Sequence, residues 1–161
     1  MPFCNTSVTL RPVGPDDEAF LLDVYANSRL DELAPLGWDA AQQQAFLTMQ
    51  FAAQQYHYQS QFPEGEHYII LSQDRPLGRL YVARRDQEIR ILDLTLLPEH
   101  RNAGIGTALL TDLLAEAVHM GKPVRIYVEH FNRSLRLFER LGFAKIDDSG
   151  MHALLEWRPR P

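Results

Sequence analysis

An arginine, two closely spaced glycines and a threonine stand together in Arg101-Asn102-Ala103-Gly104-Ile105-Gly106-Thr107, directly before an apolar run that reads as a helix. Glycine is a poor helix former, so two of them at a helix start need a reason. The first N–H groups of a helix lack internal partners and carry the positive end of its dipole. An anion placed there accepts several hydrogen bonds at once. Glycine lets the backbone approach that anion and turn its N–H groups inward; Arg101 adds a charge-assisted donor and Thr107 a hydroxyl. The chemistry on offer is a pyrophosphate cradle. The competing reading is a strand-to-helix turn that uses glycine only for its angles. Spacing excludes one other phosphate loop and disfavours a second. A P-loop requires Gly-Lys-Ser/Thr after its second glycine, where this chain has Gly106-Thr107-Ala108. A dinucleotide-binding turn requires a small residue where Leu109 stands and an acid ~20 residues further on, where Ile126 stands.

The elements that must position this loop follow from periodicity and punctuation. Ser7 to Arg11 alternates apolar and polar residues and meets Pro12, a short strand. Pro15-Asp16-Asp17 opens a helix whose apolar positions Phe20, Leu21, Val24 and Tyr25 keep a helical period, broken at Pro35-Leu36-Gly37. Asp39 with Gln42 three residues on reads as a capping box, and the helix it starts carries Phe46, Met49, Ala53 and Tyr56 on one stripe, expected to face the core. Residues 67–72, 77–84 and 88–97 read as an antiparallel meander that Pro98 ends. A helix follows over Ile105 to Met120, closed by Gly121 with Pro123 beyond. A strand over Val124 to Glu129, a helix over Asn132 to Leu141 closed by Gly142, and short strands over residues 143–146 and 151–157 complete the order. That order, β-α-α-β-β-β-α-β-α-β-β, predicts an α/β (α+β) chain with one mixed central sheet, a single domain across residues 1–161.

Composition narrows the partners. With 161 residues, 45% hydrophobic and 23% charged, the chain can bury a core of ordinary size. Sixteen basic against 21 acidic residues give a net charge of −5, which provides no footprint for nucleic acid or for an anionic membrane. Cys4 is the single cysteine and cannot form an internal disulfide, which suits a reducing compartment. The start MPFCNTSVTL lacks a basic region followed by an apolar run, and no stretch approaches the ~20 apolar residues of a membrane span. The expectation is a cytoplasmic protein. His67, His100 and His130 are not spaced as metal ligands, so no metal is expected.

Arg101-Asn102-Ala103-Gly104-Ile105-Gly106 matches the Q/R-x-x-G-x-G/A signature of the GNAT superfamily of N-acetyltransferases, and ILDLTLLPEHRNAGIGTALL resembles that family's strand, loop and helix. A second stretch, IYVEHFNRSLRLFERLGF, is similar to its next strand and helix, at a fitting separation. The specific resemblance covers roughly residues 88–146. It implies the family's fold, with a splayed strand pair in the central sheet and helices on both faces. It also implies acetyl-CoA as co-substrate and a primary amine of a small molecule or peptide as acceptor. By the resemblance, the loop Arg101, Asn102, Ala103, Gly104, Ile105, Gly106 and Thr107 holds the CoA pyrophosphate. Backbone groups near Leu94 and Leu96 pair with the pantetheine arm, and Asn132 bonds it; Asn132 also reads as a helix N-cap. Related folds often pair through sheet edges or helices, so a homodimer fits.

One position departs from the family pattern. Where many members carry the tyrosine assigned as the acid for the leaving thiolate, this chain has Phe138. Three explanations stand: a thiolate of thiol pKa ~8.5 leaves without an acid, Tyr127 or His130 substitutes, or the chain binds acyl-CoA without turning it over. An alkylamine of pKa ~10.4 must lose a proton before it attacks. Asp93 and Glu129 are the candidate bases, on the two strands that flank the expected splay; their competing readings are a turn anchor and an arginine partner. The acceptor is expected against the first two helices and Glu32 to Trp38, where Trp38, Phe46, Tyr56 and Tyr58 are pocket or core aromatics.

Overall fold

The computed structural model describes residues 8–129 and 134–160. Strand β1 (Val8–Pro12) leads through a 3-10 turn (Pro15–Asp17) into α1 (Glu18–Leu33), then through a second such turn (Ala34–Leu36) into α2 (Ala40–Gln61). Strands β2 (Glu66–Ser72), β3 (Arg75–Arg84) and β4 (Ile89–Leu96) follow, then α3 (Ile105–Met120), β5 (Val124–Glu129), α4 (Leu135–Arg140), β6 (Ala144–Asp148) and β7 (His152–Trp157). The seven strands of the described residues join one sheet in the order β1-β2-β3-β4-β5-β7-β6. The β4–β5 pair is parallel and the other pairs are antiparallel, so the sheet is mixed as expected.

Local chemistry sets the boundaries. Ahead of α1, the Asp17 carboxylate accepts from the Gly14 N–H (2.7 Å) and pairs with Arg11. At α2 the capping box forms in both directions: the Gln42 N–H donates to Asp39 (2.8 Å), and the Asp39 N–H donates to the Gln42 side chain (3.0 Å). Gln73 and Asp74 both take positive φ (52° and 64°), a primed turn whose twist matches the β2–β3 hairpin.

Each strand sends alternate residues to opposite layers. Ile70, Leu80, Ile89, Ile91, Val124 and Ile126 pack with α3 residues Leu109, Leu110 and Leu113 and with Phe138 and Phe143. Ile69 packs on the other side with Leu21, Tyr25 and Leu33 of α1 and Leu47 and Phe51 of α2. Helices therefore cover both faces. On α2 the core stripe differs from the expected one: Leu47 and Phe51 are buried, whereas Met49 is 63% and Tyr56 74% exposed. Apolar residues are spread around this glutamine-rich helix, so two stripes are available, and the one that meets α1 and Ile69 is the one buried.

Two irregularities open the sheet near its centre. Tyr81 pairs with Asp93 and Val82 with Ile91, so Leu92 is an extra residue on β4, a β-bulge. The parallel ladder runs Ile89↔Val124, Arg90↔Arg125 and Ile91↔Ile126, while β4 continues to Leu96 and β5 to Glu129. The two strands are splayed from the bulge onward. At the closed end, Glu88 is buried among Arg85, Arg90 and Arg125, and Arg125 pairs across to Glu156.

Candidate active site

The splay opens into a cleft of about 1230 Å³ that runs from the α1–α2 layer, between β4 and β5, to the loop before α3 and the inner side of α4. Asp93, Leu94, Leu96, Arg101, Asn102, Gly104, Ile105, Gly106, Thr107, Glu129 and Phe138 all line it. Ala103 lies on the same loop, exposed and outside the lining. Asn132 and His130 lie outside the described residues.

The loop has the geometry of an anion cradle. Asn102 (φ 61°) and Gly104 (φ 82°) both adopt the left-handed region, which turns successive N–H groups to one side. Gly104 is the N-cap of α3, and no side chain caps that end. A Cβ placed on Gly104 would meet nothing within 4 Å, so the space before the helix is open. The Arg101 Nε donates to the Leu96 carbonyl (3.3 Å), tying the loop to the end of β4.

Beneath the bulge lies a buried polar knot that no sequence motif announced. Arg79 is 1% exposed. Its Nε donates to Asp93 Oδ2, its Nη1 to Gln55 Oε1 (3.0 Å) and its Nη2 to Gln54 Oε1, and its guanidinium lies 5.4 Å from the Phe51 ring centre. The other Asp93 oxygen accepts from the Thr95 hydroxyl (2.9 Å). Asp93 thus faces the α1–α2 layer, while Leu94 and Leu96 pack toward α3. A readable signal existed: one arginine inside the otherwise apolar Leu77-Gly78-Arg79-Leu80-Tyr81-Val82-Ala83. Beside the knot, the Tyr58 hydroxyl donates to the Leu92 carbonyl (2.9 Å). Burial, with the nearby Asp93 charge, pushes the Tyr58 phenol above its ordinary range. Tyr58 meets Tyr81 edge-on (5.3 Å), and Tyr81 stacks on His67 (4.3 Å). Burial, reinforced by the Arg79 charge, lowers the His67 imidazole to about 4.

Across the splay, both Glu129 oxygens accept from Arg29 Nη1 (2.9 and 3.2 Å), which also reaches Glu32 (3.2 Å). The Arg29 guanidinium lies over the Tyr25 ring (5.1 Å). This pairing links positions 29 and 129, a separation at which sequence carries no local sign. Of the four aromatics expected near the acceptor, Tyr58 lines the cleft; Trp38 packs edge-on against Phe46 (5.1 Å) beside the α1–α2 core, and Tyr56 points to solvent. Phe138 is 2% exposed and edge-on to Phe143 (5.2 Å), a core side chain with one face on the cleft. Among the described residues no cluster of three or more His, Cys, Asp or Glu side chains is arranged to hold a metal, and no helix is long and apolar enough to cross a membrane.

Residues 32–143, more than half of the chain, match the profile of the Acetyltransferase (GNAT) family. Solved structures share the fold. They include the PaiA N-acetyltransferase from Thermoplasma acidophilum in complex with coenzyme A (18% identity, 94% of this chain and 99% of that one, TM-score 0.71). An acetyltransferase from Thermus thermophilus aligns at 18% identity over 94% and 96% of the two chains (TM-score 0.65). A GNAT family acetyltransferase from Elizabethkingia anophelis with acetyl-CoA bound aligns at 16% identity over 96% and 99% (TM-score 0.60). No curated protein matches. The mixed seven-stranded sheet with helices on both faces is that of an acetyltransferase fold. The chain belongs to the GNAT family of acetyltransferases.

Proposed function

We propose that this protein transfers the acetyl group of acetyl-CoA to a primary amine of a small molecule or peptide by direct attack in a ternary complex. The observation that carries the reading is the end of the β4–β5 ladder at Ile91↔Ile126, which leaves a cleft leading straight to the uncapped start of α3. The N–H groups at that helix start, with Arg101 and Thr107, suit a pyrophosphate. The β4 edge at Leu94 and Leu96, beyond the last pair with β5, suits an extended arm laid along the strand. Phe138 offers an apolar wall. The coenzyme A and acetyl-CoA held by two of the compared structures support the same choice of co-substrate.

In the step itself the amine nitrogen forms a bond to the thioester carbon, the C–S bond breaks, and the sulfur leaves with the electron pair. Most of the rate is expected from positioning and from a β4 N–H beyond the bulge donating to the developing oxyanion. Asp93 is turned onto Arg79 and Thr95. Glu129, at the end of β5 and paired with Arg29, lines the cleft and is assigned the amine proton, taken through water. The test is a thiol-release assay with acetyl-CoA and a diverse panel of amines, together with thermal shift by acetyl-CoA. Release with one amine class, and loss of the shift in Gly104→Trp, is the expected result. No shift, and no difference between parent and Gly104→Trp, would end the proposal. A binding module without turnover is the second reading, favoured by the missing hydroxyl at Phe138; it requires a thermal shift with no thiol release on any amine.

A further inference from the structure

A carbonyl on β4 beyond Ile91 has an obvious partner, the next N–H of the parallel strand β5. The ladder nevertheless stops there. The bulge inserts Leu92 at that point, and the Leu92 carbonyl is occupied by the Tyr58 hydroxyl from α2. Tyr58 is itself fixed, edge-on to Tyr81, whose ring is backed by the stacked His67. One turn earlier on α2, Gln54 and Gln55 hold the Arg79 guanidinium, and Arg79 holds Asp93. Helix α2 therefore holds two successive residues of the bulge, Leu92 directly by its carbonyl and Asp93 through Arg79.

Resting on the acetyltransferase reading, we propose that Tyr58 is a positioning residue for the transfer: its hydroxyl, donated from α2, draws the Leu92 carbonyl toward α2 and away from β5, and so holds the splay open where the thioester must sit. Tyr58 acts as a hydrogen-bond donor and not as the missing acid. Its phenol is raised by burial, whereas the departing thiol has a pKa of ~8.5, so proton transfer from Tyr58 to sulfur runs uphill.

The experiment is Tyr58→Phe, which keeps the ring on Tyr81 and removes the hydroxyl. The expected kinetic result is a fall in kcat of about tenfold, the worth of one positioning hydrogen bond. KM for acetyl-CoA should change by less than about threefold, because the Arg101–Thr107 loop is untouched. Tyr68→Phe removes another phenol hydrogen bond, to Glu66 (2.8 Å), away from the cleft; its kcat should stay within about twofold of the parent. Hydrogen exchange of the free protein supplies a readout that simple destabilisation would not give. With the Leu92 carbonyl released to β5, the amide at 129, the next β5 N–H on the β4 side beyond the last ladder pair, should exchange more slowly in Tyr58→Phe, whereas loosening would speed it. Unchanged or faster exchange there overturns the proposal, as does a kcat within about twofold of the parent. The exchange arm needs no turnover. A parent chain that releases no thiol therefore counts against the acetyltransferase reading, while the amide still decides the role of Tyr58.

Discussion

Replacing Arg79 by methionine removes the one cation of the knot beneath the bulge while keeping an unbranched side chain of similar length. Arg79 is 1% exposed, and its partner Asp93 has a side chain 22% exposed. Without the guanidinium, the Asp93 carboxylate keeps only the Thr95 hydroxyl, and the Gln54 and Gln55 amide oxygens lose their donors. Breaking one partner of a buried ion pair costs about 3–5 kcal/mol. Rotation of the two glutamines toward water offsets part of their ~1–3 kcal/mol each. A net loss of about 4 kcal/mol is a large share of the ~5–15 kcal/mol that typically separates folded from unfolded states. At roughly 2–4 °C per kcal/mol for a chain of this size, the melting midpoint should fall by about 8–16 °C. Calorimetry or urea titration at pH 7 measures it. The double variant Arg79→Met/Asp93→Leu removes the uncompensated charge as well, and should recover about 1–3 kcal/mol relative to additive costs. A fall of less than about 3 °C for Arg79→Met, or strictly additive costs in the double variant, would refute the claim that the pair holds α2 to β4.

The remaining expectations are local. A Cβ on Gly78 would lie 2.1 Å from the Thr95 carbonyl oxygen, a backbone atom that cannot step aside; Gly78→Ala should therefore part β3 from β4 and lower the midpoint by more than about 6 °C in a melt. His67 is held at about 4 in the folded chain against ~6.5 unfolded. Between those values only the unfolded state takes the proton, so this contribution is fully present above ~6.5 and is lost as pH falls toward 4, by at most ~3 kcal/mol. His67→Phe keeps a ring on Tyr81 and should flatten that part of the urea-midpoint profile; parallel profiles for parent and variant would contradict it. Asp17, lowered to about 2 chiefly by the Arg11 hydrogen bond and then by the Gly14 N–H, loses its contribution only further down, as pH falls from ~3.8 toward 2. Gly104→Ala forces an alanine to φ +82° at a strain of roughly 1–2 kcal/mol. It should weaken coenzyme A binding in titration calorimetry more than it lowers the melting midpoint.

How far the sequence could be read depended on whether a feature was local. The Asp39–Gln42 box, the Gly121 stop of α3 and the β2–β3 turn are each decided within a few residues, and the helix over Ile105 to Met120 and the strand over Val124 to Glu129 came out at their observed bounds. The turn into α3 was legible because a glycine in the left-handed region at a helix start needs no distant partner. The α2 stripe was not, because Phe46-Met49-Ala53-Tyr56 and Leu47-Phe51 are both helical spacings and only tertiary contact chooses between them. The bulge at Leu92 shifts parity within β4, which alternation alone does not reveal. Arg79 with Gln54, Gln55 and Asp93, and Arg29 with Glu129, join segments that meet only once the sheet has formed.

Phe138 puts the question of where the protons go; His130 lies outside the described residues, and neither Tyr58 nor Tyr127 is placed as the acid. The leaving sulfur, with a thiol pKa of ~8.5, is stable enough as a thiolate to depart and collect its proton from water. An acid accelerates such a step only if it is positioned at the sulfur and gives up its proton readily. Tyr58 is raised by burial and committed to the Leu92 carbonyl. Tyr127, on β5 at the cleft wall, lies under the Arg90 guanidinium (5.2 Å) and is 51% exposed, so water reaches the same space. If no phenol has to be protonated, kcat should rise with pH as the acceptor amine loses its proton and then level off, with no falling limb up to about pH 10. Phe138→Tyr supplies the test. The ring meets Phe143 edge-on and lines the cleft, so the added hydroxyl is expected on the cleft side. Turnover within about threefold of the parent, with the same pH profile, is the expected result. A gain of tenfold or more, accompanied by a new alkaline limb, would show that the acid was missing and that solvent had been a poor replacement for it.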